Sequence, residues 1–378
     1  MKSKIIFSAI FFLVFTTSFA QFQNKKNLPF TWITDTINAS VPLSEIQIVL
    51  PKGSFPTLDA PKFVNKDEGL TMFFINEPVI ALEINGNAKA YSLNVLTMHE
   101  IANDQLGGES ILVTYCPLCN SGIVYNRNVT INGKTELLEF EASGMLRNSD
   151  MVMLDRKTET LWQQLIGTAI VGTYNETQLE TIPSIIISVE EFFMRYPFGE
   201  IMSKDTGFDE SAKYYGKNPY KGYDTRENPR EQFFNSDKVD QRLPAMERVV
   251  DIEDDGDYKI YTFTTAQEKG VINDTFKNKS VVLFYKEGAV SILDEGDIST
   301  SRNVGSVTVF NAELGRQKLT FSKINNEFID NETKSTWDIT GYCTSGKLKG
   351  KQLQIRQHSN HFAFAWLAFY PESEIYNE

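Results

Sequence analysis

An internal repeat constrains this 378-residue chain more than any single motif in it. Residues 91 to 115, YSLNVLTMHEIANDQLGGESILVTY, align without a gap to residues 261 to 285, YTFTTAQEKGVINDTFKNKSVVLFY. Tyr91, Asn103, Asp104, Ser110 and Tyr115 recur as Tyr261, Asn273, Asp274, Ser280 and Tyr285. Further on, Asp155, Thr158 and Trp162 match Asp330, Thr333 and Trp337. Gly167, Gly172, Gln178, Leu179, Tyr196 and Pro197 then match Gly341, Gly346, Gln352, Leu353, Tyr370 and Pro371. Self-similarity running twice in the same order is the signature of a repeated unit. It predicts two tandem homologous lobes, at 78–202 and 249–378. An N-terminal arm over 21–77 precedes them, and a polar connection over 203–248 joins them.

Local pattern predicts an α+β, β-rich fold. Val79 to Ile84 and Ala88 to Tyr91 read as strands around the turn Asn85-Gly86-Asn87. Ile111 to Tyr115, Gly122 to Tyr125 and Leu137 to Glu141 read as further short strands. Leu93 to Ala102 reads as a helix with Val95, Leu96 and Ile101 on its apolar face. Ser188 and Glu191 form a capping-box signal for a helix from Val189 to Tyr196, ended by Pro197. His361 to Phe369 occupies the corresponding place in the second lobe. The connection carries Tyr214, Tyr215, Tyr220 and Tyr223, so it is expected to pack on something. Connections of this length in compact proteins tend to be functional.

Lys2 and Lys4, the apolar run from Ile5 to Phe15 and the small residues Ser18 and Ala20 read as a secretory signal peptide over 1–20. The mature chain is then exported, to the periplasm or the extracellular space, and starts at Gln21. No later stretch has the roughly 20 apolar residues of a transmembrane helix, so no membrane span is expected in the mature chain. The net charge of −12 becomes −14 once the two lysines are removed. That average field repels nucleic acid and suits a small-molecule or metal-ion handler better. Three cysteines are too few for a disulfide-stapled scaffold in an oxidising compartment.

The repeat acts as an internal control: residue types kept in both lobes belong to the shared fold. Trp162 and Trp337 read as core anchors, and the Asn-Asp pairs read as ending a helix and starting a turn. Cys116, Cys119 and His99 have no copies, since Lys286, Ala289 and Lys269 stand in their places. The first lobe also has about six extra residues between Phe140 and Asp155, in a segment containing Gly144 to Asp150. Lobe one is therefore the candidate active lobe.

Cys116-Pro117-Leu118-Cys119 allows several chemistries. Covalent haem needs a histidine at position 120, which is Asn120, and an iron–sulfur cluster needs more cysteines. No nucleotide-binding motif or hydrolase triad stands out. Thiol–disulfide exchange needs an acidified thiolate where a strand enters a helix, and a strand from Gly122 follows instead. Metal binding by Cys116, Cys119 and His99 is the leading reading, with copper ahead of zinc in an exported protein. His358, His361, Met98 and Met145 are weaker candidate ligands. Glu100, Asp150 and Arg156 are candidate catalytic or supporting polar groups, and Cys343 is expected to be a buried free thiol. The alternatives are a thiol–disulfide oxidoreductase using Cys116 and Cys119, and a non-catalytic binding module with a structural disulfide. The partner is an unidentified small molecule or metal ion.

Val113-Thr114-Tyr115-Cys116-Pro117-Leu118-Cys119-Asn120-Ser121-Gly122 closely resembles the bacterial family called domain of unknown function 3179. The resemblance extends to Met98 to Asp104, Ser143-Gly144, Asn148 to Asp150, Met153 to Arg156, Leu161 to Gln164 and Ala363 to Trp366. Asn120 departs from it, standing where many relatives are expected to carry glycine. The family name supplies no reaction, so the resemblance supports the site and the domain organisation alone.

Overall fold

The computed structural model describes residues 33–131 and 133–377. The proposed signal peptide and the first residues of the arm lie outside them. The fold is β-rich, with several small antiparallel sheets and few, short helices. In the first half, Pro78–Ile84 and Asn87–Ser92 form a hairpin around a left-handed Asn85 and Gly86. A meander follows from Ile101–Leu106 through Glu109–Cys116 to Ser121–Asn126. The hairpin Phe140–Arg147 and Asp150–Asp155 then continues into Leu161–Gln163 and Thr168–Val171. The second half runs through the corresponding strands: Arg248–Asp254 with Asp257–Thr262, Val271–Phe276 through Ser306–Asn311, and Phe321–Ile324 through Cys343–Ser345.

The residue types shared by the two halves make the same contacts twice. Tyr91 donates its hydroxyl to Asp104 Oδ2 at 2.6 Å, and Tyr261 donates to Asp274 Oδ2 at 2.7 Å. Asn103 clips the backbone of Phe140 through both N–H and C=O, as Asn273 clips Phe321. The Trp162 indole donates to Asp155 at 3.1 Å, and the Trp337 indole to Asp330 at 3.0 Å. Both indoles are buried, so each needs such a partner. Gly167 and Gly341 have positive φ, and a side-chain carbon on either would stand 2.6 Å from an aromatic ring. Substitution at either glycine is therefore doubly penalised.

Several local expectations are corrected. Asn103 and Asp104 lie inside the strand Ile101–Leu106, not at a helix end. The clip to Phe140 and the bond from Tyr91 use side chains that a strand projects to opposite faces. The helix expected over Leu93 to Ala102 is only Leu93–Leu96. Thr97 turns its hydroxyl back to Leu93 O, and Glu100 takes a left-handed conformation with φ of 60°, which reverses the chain before Ile101. The extra residues of the first half lengthen the Phe140–Asp155 hairpin. His361 sits in the strand Asn360–Phe362, and the helix begins after it at Ala363. The capping box is present, with Ser188 and Glu191 bonded reciprocally at the start of Val189–Arg195.

The halves pack on each other reciprocally. Asn360–Phe362 of the second half lies against Ser121–Asn126 of the first, and Ile185–Ser188 of the first lies against Ser306–Asn311 of the second. One cluster of buried apolar side chains, from Leu58 to Leu367, runs through both halves. The arm joins the first half by pairing Gln47–Ile48 with Met145 and Leu146. The connection carries a short helix, Asp209–Ala212, and a buried Tyr223.

Glu77 is fully buried beneath this framework and bonds Ser92 and Asn94. Burial pushes its pKa up to about 7, against the charge of Lys204 and those two bonds. A carboxyl raised in the folded state holds its proton more tightly there than in the unfolded chain. Its contribution to stability is therefore greatest below pH 4.5 and is lost as the pH rises to about 7. We expect Glu77→Gln to remove this dependence, narrowing the gap in stability between pH 5 and pH 8 by on the order of 3 kcal/mol. Denaturant melts of both proteins at the two pH values test this, and parallel profiles would refute it.

Candidate functional site

The pairing of Cys116 with Ser121 closes the hairpin between Glu109–Cys116 and Ser121–Asn126, so Pro117 to Asn120 form its turn. The Cys119 N–H reaches Cys116 O at 3.3 Å, and the Asn120 N–H reaches Pro117 O at 3.2 Å. Asn120 has a φ of 51° and accepts a bond from the Tyr115 hydroxyl. The left-handed region is open to asparagine and glycine at little cost, which accounts for asparagine at this position. The turn leads into a strand rather than into a helix.

The lengthened hairpin brings a third group to the turn. Its tip, Asn148 and Ser149, is left-handed at both residues and delivers Asp150 into the interior. The two sulfurs and an Asp150 carboxylate oxygen all lie within 4.8 Å of one another, and all three residues are buried. Ser149 O lies 3.3 Å from Cys119 Sγ and 3.9 Å from Cys116 Sγ. Asp150 Oδ2 accepts from Gln163 Nε2 at 2.6 Å and from the Leu165 N–H at 3.0 Å. Asp150 Oδ1 and Gln163 Oε1 are buried with no such donor. All three cysteines are free thiols, Cys343 in the second half included.

Burial dominates the electrostatics. It raises the Cys116 thiol, with the Asp150 and Glu100 charges adding to the effect, and it holds Cys119 well above its ordinary value. Asp150 is pushed up to about 6 by burial, against its bonds from Gln163 and Leu165. Glu100 is pushed up to about 8 by burial and by Asp150. Four acidic groups thus share one dry region, and neither carboxyl has an ion pair among the described residues.

The other sequence candidates lie elsewhere. His99 does not face the thiols: its Nδ1–H donates to Pro56 O at 2.6 Å, and its Nε2 accepts from the Tyr215 hydroxyl at 2.5 Å. It pins the arm to the connection with both nitrogens used, and burial keeps it neutral by lowering its pKa. Arg156 is held by Asp59, Glu139 and Glu141. Met145 packs in a separate apolar cluster with Ile46 and Val152, and Met98 is partly exposed. The second half does reach the turn, since the Phe362 N–H donates to Cys119 O at 2.8 Å. His361 beside it bonds Asp251 through Nε2. His358 bonds Arg356 O through Nδ1, and its Nε2 is buried without a partner. Asp150 was legible as a polar candidate in an insertion, but only the register of the hairpin places it on the sulfurs. Tyr223 was not singled out as a site residue, yet its hydroxyl donates to Leu118 O at 3.1 Å and covers the turn.

The model of the family described as protein of unknown function (DUF3179) matches residues 52–373. The chain belongs to this family. No curated protein and no solved structure matches it. As a member of the family it carries the cysteine turn and both halves inside the matched region.

The buried, proton-holding thiols should react slowly. We expect Cys116 and Cys119 to resist alkylation in the native protein at neutral pH, and three thiols to titrate after denaturation. One native thiol reacting faster than free cysteine at pH 6 would contradict this and favour disulfide exchange.

Proposed function

We propose that this is an exported metal-binding protein in which Cys116, Cys119 and Asp150 hold one divalent cation, with zinc the ion the donor set suits best. The carrying observation is the meeting of two thiols and a carboxylate within 4.8 Å, all buried. Buried acids without cationic partners are costly. A bound cation removes that cost, because thiolate and carboxylate are then the favoured forms. Asp150 Oδ1 and Gln163 Oε1, buried and unpaired, are further oxygen donors at the same place. Glu100 supports the site as a neighbouring carboxyl, and Ser149 O contributes its dipole. Copper stood ahead of zinc for an exported protein with Cys116, Cys119 and His99 as the expected ligands. Two thiolates with a carboxylate are a zinc set, whereas Cu(I) needs only the soft sulfurs.

The enclosure fits retention of the ion rather than turnover at an open position, because catalytic zinc keeps a site for water or substrate. We read the two halves as descendants of one duplicated unit in which only the first gained the thiols and the longer hairpin. Thiol–disulfide exchange is less well supported, because burial raises both thiols where that chemistry needs one lowered.

Metal analysis of the mature chain after loading with zinc or with Cu(I) tests the reading. We expect one zinc per chain, lost in Cys116→Ser and Cys119→Ser. Asp150→Asn should weaken zinc by more than the roughly 10–100-fold that loss of an outer partner costs. Cu(I) binding should survive Asp150→Asn, because the sulfurs remain. No zinc in the wild type, or equal zinc affinity in Asp150→Asn, would overturn the assignment.

Export is tested separately. N-terminal sequencing of the protein from the periplasmic or culture fraction should read from Gln21, and an intact Met1 in a cytoplasmic fraction would refute the signal peptide.

A further inference from the structure

A cleft of about 340 Å³ lies between the halves, lined by Tyr125, Leu165 and Glu180 from the first and by Asp251, Glu253 and His361 from the second. Glu180 and Glu253 are exposed at its rim, while Asp251 and His361 are buried. Carboxylates arranged along a cleft with apolar walls concentrate cations. Acidic residues alone do not make a site, but His361 adds a separate observation. Its ring has no exposure and packs on Trp366 at 4.9 Å between centroids. Nε2 stands 3.2 Å from Asp251 Oδ1, and Nδ1 is buried without a partner.

Buried polar atoms of this kind are few in folded proteins, and each calls for an explanation. A carboxylate that accepts one ring N–H fixes the tautomer and leaves the lone pair on the other nitrogen. Metal-ligating histidines are held in this way. Here Asp251 is the carboxylate and Nδ1 the free donor.

The cleft and the buried thiol group share their walls. Leu165 lines the cleft and donates its N–H to Asp150 Oδ2 at 3.0 Å. Tyr125 lines it too, and its hydroxyl donates to Gln164 O at 2.6 Å, next to the Gln163 that holds Asp150. On the other side, the residue after His361 donates its N–H to Cys119 O. A wall residue on the first side, and the neighbour of one on the second, thus bond a proposed ligand residue directly.

We propose that this cleft is the entrance for the metal ion, and that Nδ1 of His361, oriented by Asp251, is a transient cation site on the way to Cys116, Cys119 and Asp150. The inference rests on the metal reading above. The ion is accepted at Nδ1 and exchanges this ligand for the two sulfurs and the carboxylate. The thiol protons leave to water through the same cleft, so the ion and the protons move in opposite directions. Glu180 and Glu253 act only on the rate of arrival.

Time-resolved uptake of Zn²⁺ by the metal-free full-length mature chain, competed against a chromophoric indicator, tests this. His361→Gln should load roughly tenfold more slowly while reaching the same final stoichiometry. The paired surface variant Glu180→Gln with Glu253→Gln should load about two- to threefold more slowly at low salt and equally at high salt. The surface pair keeps the test valid if His361→Gln lowers the melting temperature. Wild-type loading rates in both variants would overturn the entrance. Loss of stoichiometric binding in His361→Gln would instead make His361 a permanent ligand and overturn the transient site. A wild-type chain that takes up no zinc would overturn the metal reading itself, an outcome distinct from either of these.

Discussion

Reciprocal docking of the two halves is the constraint on which the site depends. Each half offers the strand before its last helix to the third strand of the other half's meander, so two seams close together. At one seam the Phe362 N–H bonds Cys119 O, which makes the second half part of the wall around the first half's turn. At the other, Ile185–Ser188 and the capping residue Glu191 meet the second half's corresponding turn. The connection completes the cover, with Tyr223 bonded to Leu118 O and Tyr215 bonded to His99. The contacts across both seams are lost if one half is displaced, so enclosure of the thiols depends on the pair of halves.

Enclosure sets the chemistry. In water a thiol and a carboxyl beside one another are unremarkable, but with water excluded each charged form loses its solvation. That is why Cys116, Cys119, Asp150 and Glu100 all move toward their neutral forms together. An enzyme thiolate would be poorly served by such a place. A cation with an affinity for sulfur and oxygen would be well served, because it supplies the missing positive charge at the point where four acids converge.

Much of the β framework was legible because it rests on period-two patterning and on residue pairs that occur twice. Trp162 with Asp155 and Trp337 with Asp330 are short-range contacts, so each appears as a fixed spacing in the sequence. The capping box of Ser188 and Glu191 was legible for the same reason. The helix read over Leu93 to Ala102 was too long because Val95, Leu96 and Ile101 satisfy a helical period, while the left-handed Glu100 between them leaves no mark in the pattern. The third member of the thiol group was hidden for a different reason. His99 is near Cys116 in sequence and Asp150 is not, yet β-register decides proximity here. Four added residues on the first strand of the hairpin and two on the second carry Asp150 to the sulfurs.

The second half shows how the same framework resolves buried charge without an ion. Lys286 stands where Cys116 stands in the first half, and its ammonium lies 3.6 Å from the buried carboxylate of Glu191. Burial raises the Glu191 carboxyl, and Lys286 draws it back down. Cation and anion are both supplied by the chain at this seam. In the first half the acidic groups are present in greater number, as Cys116, Cys119, Asp150 and Glu100, and no lysine or arginine forms an ion pair with either carboxyl among the described residues. The first half meets the same burial by holding protons on these groups, and the proposed cation would take the place of those protons. The asymmetry first visible as two unmatched cysteines is thus an asymmetry of charge compensation.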